Sequence, residues 1–224
     1  ISCTPDQASY LRSVLRLSDG DEILIFNGRD GEWRARLSEV GKRGAALDAE
    51  NLVRAQTGGP DLTYIFAPLK RARLDYMVQK ATEMGVSRLT PVLTRHTIAE
   101  RVNLERMRAN AIEAAEQCGI LRVPAVTEPI KLAVLLQNWD TSRVLVFCDE
   151  DAEVANPLSA LAKLRPGPLA VLIGPEGGFS PDEREMIRAL PHATALSLGP
   201  RIMRADTAAV AALALVNAAL GDWR

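Results

Sequence analysis

LIGPEGGFSPDE, residues 172–183, decides how this chain is read. The apolar run LAVLI before it reads as the end of a buried strand. Ser180 stands where a helix N-cap belongs, Pro181 takes the first helical position, and Glu183 closes a capping box. The stretch therefore joins a strand to a helix N-terminus, and in open α/β sheets that carboxyl-end edge is where ligands bind. Two common ligand motifs are excluded: a P-loop ends in GK[ST] and a dinucleotide fingerprint needs GxGxxG, and GPEGG is neither. Glu176 also opposes a pyrophosphate in this turn, because two close anions repel. A neutral or cationic ligand with hydroxyls suits it better. The plainer alternative is a tight, capped turn with no ligand.

SLGPRIMRADTAA, residues 197–209, repeats the design of strand, Gly-Pro turn and helix. Two such turns at the ends of two strands make the walls of one crevice. Arg201 and Arg204 lie beside it, with Asp206 and Thr207 at the helix start. The competing reading of Arg204 and Asp206 is an exposed helix-end ion pair, worth roughly 0–1 kcal/mol. The alanine run that follows reads as a helix packed closely on a neighbour or on a second subunit.

Outward from these turns, residues 58–224 alternate strand and helix. LTYIFAP, RLTPVLT, RVLVFCDE, PLAVLIGPE and ATALSLGP read as strands. LDYMVQKATEMG, LERMRANAIEAAEQCG and residues 156–163, 181–189 and 204–220 read as helices. Buried-looking strands alternating with helices imply an α/β fold with a mainly parallel sheet. Residues 1–57 differ. EILIFN, EWRARLSEV and AALDAENLV are short strand-like runs separated by the turn sequences NGRDG and GKRG, which suggests a small β-barrel module. QTGGPD, residues 56–61, is the linker.

The 224 residues are 47% hydrophobic and 25% charged, with a formal net charge of −1. That balance fits a globular core and marks neither a nucleic-acid binder nor a membrane-surface protein from bulk charge. Charge is uneven, however: residues 70–122 hold 10 basic and 6 acidic residues, a local excess of +4. This is read either as a solvated helix surface or as a track for phosphates. Cys3, Cys118 and Cys148 are far apart and form no CxxC pair, so no metal site or disulfide framework is supported. Isolated thiols suit a reducing cytoplasm. The start ISCTPDQ shows no basic stretch before an apolar run, so no secretory leader is expected, and it lacks an initiator Met, so the natural start is expected to be missing. The most apolar segment, AAVAALALV, is far short of the roughly 20 residues that span a bilayer, so no membrane association is expected.

LIGPEGGFSPDE with LGPRIMRADTAAVAALAL closely resembles the C-terminal signatures of the RsmE family of ribosomal RNA uridine-N3 methyltransferases, in the SPOUT superfamily. KRARLDYMVQKATEMGVSRLTPV and AAEQCGILRVPAV resemble two further family segments in the same order, and the strand-rich N-terminus resembles the family's PUA-like module. The likeness covers nearly the whole chain. TRHT, residues 94–97, departs from it where a Ser-Glu-Arg-like stretch is expected, and Asp206 stands where Glu is commoner. The resemblance implies a PUA-like RNA-binding domain at 1–57 and a trefoil-knotted methyltransferase domain at 58–224. It implies a cytoplasmic homodimer that binds S-adenosylmethionine between the two turns and acts on small-subunit (16S) ribosomal RNA. Cofactor contacts carried over by position are Leu172, Gly174, Glu176, Gly177, Gly178, Leu198, Gly199, Ile202, Met203, Arg204 and Thr207.

Uridine N3 must lose a proton before or during methyl transfer, and a nearby arginine would stabilise the anion that develops. Arg204 is expected in that role, with Glu176 and Asp206 as alternative general bases. Arg12, Arg16, Arg95 and Arg122 are expected phosphate contacts, with Glu116 and Gln117 as base or backbone partners of the RNA. Two rival functions remain: a knotted methyltransferase for a tRNA base or ribose, and a non-catalytic RNA-binding assembly protein. A Rossmann dehydrogenase ranks below both, because no GxGxxG follows the first strand.

Overall fold

In the computed structural model, residues 1–41, 44–98, 101–153 and 156–223 are described. The chain divides into two compact units, Ile1–Gly58 and Gly59–Arg224.

In the first unit, α1 (Pro5–Ser9) starts on a capping box made by Thr4 and Gln7 and runs into a π-helical turn, Tyr10–Val14. Strands β1 (Glu22–Phe26), β2 (Glu32–Gly41) and β3 (Gly44–Arg54) form an antiparallel sheet in the order β1–β2–β3. The NGRDG turn forms for a local reason. Asn27 Oδ1 accepts from the backbone N–H groups of Arg29 (3.0 Å) and Asp30 (2.9 Å), so its side chain replaces a backbone turn. The expected GKRG turn includes Lys42 and Arg43, which lie outside the described residues; Gly41 and Gly44 pair across it. Ala8, Leu11, Ala35, Leu37, Ala45 and Leu47 form the core of this unit.

The second unit is a parallel sheet in the order β10–β8–β9–β4–β5–β6, with β7 pairing β5. Its strands are β4 (Leu62–Phe66), β5 (Arg88–Leu93), β6 (Ala125–Val126), β7 (Ile130–Lys131), β8 (Val144–Cys148), β9 (Leu169–Ile173) and β10 (Ala193–Leu196). β4 and β9 are buried at every position, because helices cover both faces of the sheet. Side chains alternate between the faces. Tyr64, Phe66, Val146, Val171 and Ile173 join one core with α2 (Arg71–Glu83), α3 (Leu104–Cys118), α5 (Pro157–Leu161) and α7 (Ala205–Leu220). Ile65, Phe147, Ala170 and Leu172 join the other with α4 (Leu132–Gln137) and α6 (Pro181–Arg188).

Helices α2 and α3 stop where glycine takes positive φ: Gly85 (+75°) beyond α2 and Gly119 (+62°) at the end of α3. In α7, Ala205, Ala208, Ala209 and Ala212 are buried, and the absence of bulk lets the helix lie close to its neighbours. Asn217 is wholly buried, and its Nδ2 donates to the Met84 carbonyl at 2.8 Å, tying α7 to the end of α2. The elements absent from the sequence reading are short: α1 with the π-helical turn that follows it, α4 and the two-residue strands β6 and β7. Two residues carry no periodicity from which a strand could be read.

Candidate active site

Strands β8, β9 and β10 are parallel neighbours, so their carboxyl ends share one edge of the sheet. Three loops leave that edge, and together they line a cleft of about 360 Å³. That is the lower part of the range for sites that enclose a small organic ligand.

The first wall is the turn between β9 and α6. Ser180 and Glu183 form the capping box, with Ser180 N–H donating to Glu183 Oε2 at 3.0 Å and Pro181 in the first turn. Beneath the turn, Phe179 is buried and meets Phe147 edge-on, the ring centroids 6.5 Å apart. A Cβ on Gly174 would stand 3.0 Å from the Phe179 ring, so only glycine passes there without a shift. Gly178 has φ +68°, and a Cβ on it would meet Glu150 Oε1 at 2.5 Å. Glu176 is committed to a partner: its Oε1 lies 2.7 Å from Arg73 Nη1 of α2.

The second wall, residues 197–204, is built differently. Gly199 has φ +101°, and a Cβ on it would meet nothing within 4 Å. Gly199 N–H donates to Ser197 Oγ at 3.3 Å, the side-chain bond that shapes the turn. Arg204 is the N-cap of α7 and makes no side-chain cap bond. Neither Arg201 nor Arg204 has an ion-pair partner among the described residues, and Ile202 is 90% exposed at the rim.

The third loop follows β8, and sequence reasoning missed it. Asp149 is buried, and Arg184 Nε (3.0 Å) and Arg188 Nη2 (2.8 Å) of α6 flank its carboxylate. Arg184 also pairs with Asp151 and lies 3.8 Å from Glu150, so three carboxylates share two guanidinium groups. The visible signal was the acidic run CDED at a strand's carboxyl end. The partners, more than 30 residues away, were not visible. Cys148 lines the same floor, and burial pushes its thiol up to about 12, so it stays protonated at neutral pH and offers no nucleophile. The cleft thus has an acidic side and a basic side, and among the described arginines that line it only Arg201 and Arg204, on the second, have no ion-pair partner.

Among the residues expected at the cofactor site, Gly174, Glu176, Gly178, Leu198, Gly199, Ile202, Met203 and Arg204 line this cleft. Leu172, Gly177 and Thr207 do not. Leu172 is fully buried on the β9 face that packs with Phe147 and Ile187, Gly177 lies against His96, and Thr207 is exposed on α7. Asp206 is also outside the lining; its Oδ1 accepts from Thr207 N–H at 2.9 Å. The ion pair between Arg204 and Asp206 that was the competing reading does not form.

The basic excess in residues 70–122 is partly neutralised. Arg106 makes two bonds to Asp75, at 2.8 and 2.7 Å, and that guanidinium holds the Asp75 carboxyl below the usual carboxylate range. Lys80 pairs with Glu83, and Arg73 with Glu176. Arg122 Nη1 donates to the Pro60 carbonyl, and in the first unit Arg12 Nη1 donates to the Gly41 carbonyl, both at 3.1 Å. Arg95 keeps a largely exposed guanidinium, 4.0 Å from Asp182. Arg16, Glu116 and Gln117 are exposed.

A ligand cleft formed by backbone turns at the carboxyl edge of a parallel sheet, with free arginines at one lip, defines an α/β enzyme domain; here it follows an antiparallel β module. Residues 57–217 match the family described as RNA methyltransferase domain, and residues 4–50 the one described as RNA methyltransferase PUA domain. The chain belongs to this RNA methyltransferase family. It is 30% identical over 209 residues to ribosomal RNA small subunit methyltransferase E of Rickettsia conorii, covering 93% of this chain and 85% of that protein. It is also 30% identical over 224 residues to the protein of that name from Synechocystis, covering 98% and 73%. The structure of ribosomal RNA small subunit methyltransferase E from Neisseria gonorrhoeae bound to S-adenosyl methionine superposes with a TM-score of 0.85 at 26% identity, covering 100% of this chain and 93% of that one.

Proposed function

We propose that this protein transfers a methyl group from S-adenosylmethionine to N3 of a uridine in small-subunit ribosomal RNA. The observation that carries the reading is the two-sided cleft, with acidic groups behind the first turn and unpaired Arg201 and Arg204 on the second. The donor carries both positive and negative groups, and its methyl sulfonium supplies an electrophile for in-line displacement. The cleft suits it in size. Gly199 exposes backbone where a flat base has to approach, since the open space beside it is where a side chain would intrude.

The chain's own residues would bind, orient and handle charge. Arg204 stands at the lip with a free guanidinium, placed to hold the uracil oxygen as negative charge develops, an effect that acts most strongly where water is excluded. Arg73 occupies Glu176 Oε1, which keeps that side chain at the cleft edge and leaves Oε2 as a proton acceptor. Asp206 lies outside the lining, so Glu176 is the better placed of the two candidate bases. Holding donor and acceptor in one geometry supplies the larger part of the acceleration.

Residues 1–57 serve as the RNA-binding PUA-like domain and 58–224 as the methyltransferase domain, knotted as in the SPOUT superfamily and paired in a homodimer. Arg95 is the RNA contact best supported within the second unit, since its guanidinium is exposed beside the first wall. Arg12 and Arg122 each retain guanidinium donors beyond the carbonyl bond. Glu116 and Gln117 lie on an exposed face of α3, and Arg16 is exposed in the first unit. Among the described residues no helix is long and apolar enough to cross a membrane. A ribosomal RNA substrate would call for a cytoplasmic enzyme.

The test is nucleoside mass spectrometry of small-subunit ribosomal RNA from a deletion strain. Loss of 3-methyluridine, restored by the purified protein with S-adenosylmethionine, is expected. Retention of that nucleoside in the deletion strain would overturn the assignment.

A further inference from the structure

The connection after β5 folds back on itself as a strap. Thr94 N–H donates to Thr97 Oγ1 (2.9 Å), the two threonine hydroxyls are 2.9 Å apart, and Thr97 N–H donates to the Thr94 carbonyl (3.2 Å). This closed loop is pinned to the first wall of the cleft at two points. Arg95 N–H donates to Glu183 Oε1 at 2.8 Å, the same carboxylate that caps α6. His96 Nδ1 lies 3.1 Å from the Gly177 carbonyl and 3.1 Å from the Gly178 carbonyl.

Carbonyl oxygens only accept, so His96 Nδ1 must carry the hydrogen whether the ring is neutral or charged. Two successive carbonyls converge on that one atom, and Gly178 reaches its φ of +68° without the penalty a side chain would bring. Gly177 contributes by lacking a Cβ, which would stand 3.3 Å from His96 Cβ and 3.7 Å from Nδ1. The glycine pair is therefore shaped for the imidazole behind it, and Gly178 also lines the cleft in front.

We infer that His96 is a positioning residue. Its Nδ1–H turns the Gly177 and Gly178 carbonyls toward the strap and so holds the first wall in its ligand-receiving conformation before the methyl donor arrives. The inference rests on the function proposed above, and it predicts an effect on donor binding more than on the chemical step.

Side-chain geometry supplies the test. In His96→Asn the amide nitrogen takes the place of Nδ1; in His96→Gln it reaches toward the place of Nε2 instead. Calorimetry with S-adenosylmethionine, steady-state methyl transfer and thermal melting would be run on the full chain. His96→Ala and His96→Gln are expected to weaken donor binding roughly fivefold to tenfold, the worth of one such hydrogen bond. KM for the donor should rise in parallel while kcat stays within about twofold, and His96→Asn should restore binding to within about twofold of the wild type. Melting temperatures should not follow this order. If Asn, Gln and Ala all bind like the wild type, or all lose affinity equally, the inference is wrong. Wild-type protein that binds no S-adenosylmethionine removes the proposed function and the inference together; normal wild-type binding without the graded response removes the inference alone.

Discussion

The two Gly-Pro turns look alike in one-letter code, yet they are held in opposite ways. The first, between β9 and α6, is fastened on every side: Phe179 beneath it, Arg73 on Glu176, His96 on two carbonyls, and a capping box at its exit. The second, between β10 and α7, has one weak side-chain bond, an uncapped helix start, two unpaired arginines and an exposed isoleucine. One wall is complete in the free protein, whereas the other carries groups whose partners have still to come. A motif shared by two loops therefore need not mean a shared role.

That contrast can be broken by substitution, starting with the largest effect. Phe179→Ala removes the buried ring under the first turn and should cost about 3–5 kcal/mol of folding stability, read from the denaturant midpoint. A loss below about 1 kcal/mol would mean that the first wall does not depend on its core. Arg204→Ala, on the second wall, should leave stability nearly unchanged while lowering kcat by on the order of 10²–10³. Normal turnover by that variant would remove Arg204 from the chemistry. Ser180→Ala deletes one half of the capping box and should destabilise by about 1 kcal/mol, again by denaturant unfolding. Smallest of all, Ile202→Ser should change stability by no more than about 0.5 kcal/mol, because the side chain is already in water. Any larger loss in dilute, ligand-free protein would show that Ile202 is covered in solution.

Much of this arrangement was legible in the sequence because its causes are local. The apolar runs LTYIF, VLVFC and LAVLI are continuous because helices cover both faces of the sheet, and the α6 start was legible from Ser180, Pro181 and Glu183 alone. What could not be read depends on residues far apart in the chain. Arg73 and Glu176 are separated by 103 positions, so the carboxylate that seemed reserved for a cationic ligand turned out to have a partner already. Asp149 and its arginines are hidden by the same separation. Leu172 illustrates a subtler limit: in a strand, neighbouring side chains face opposite ways, so a residue inside a motif can point away from the site the motif builds. The +4 excess of residues 70–122 was real as a count, but several of those charges face carboxylates, which no tally of charge reveals.

The doubly anchored α6 has a consequence in time. Its first turn is tied to the strap through Glu183, and its last turns are tied through Arg184 and Arg188 to Asp149 at the end of β8. A helix tied at one end to the strap and through Arg184 and Arg188 to the end of β8 is held in place, so any opening of the cleft is expected in the less fastened loop between β10 and α7. Surface loops of that size rearrange in nanoseconds to microseconds, several orders of magnitude faster than a helix leaves its sheet. The pace of ligand exchange is therefore expected to follow the less ornamented of the two turns.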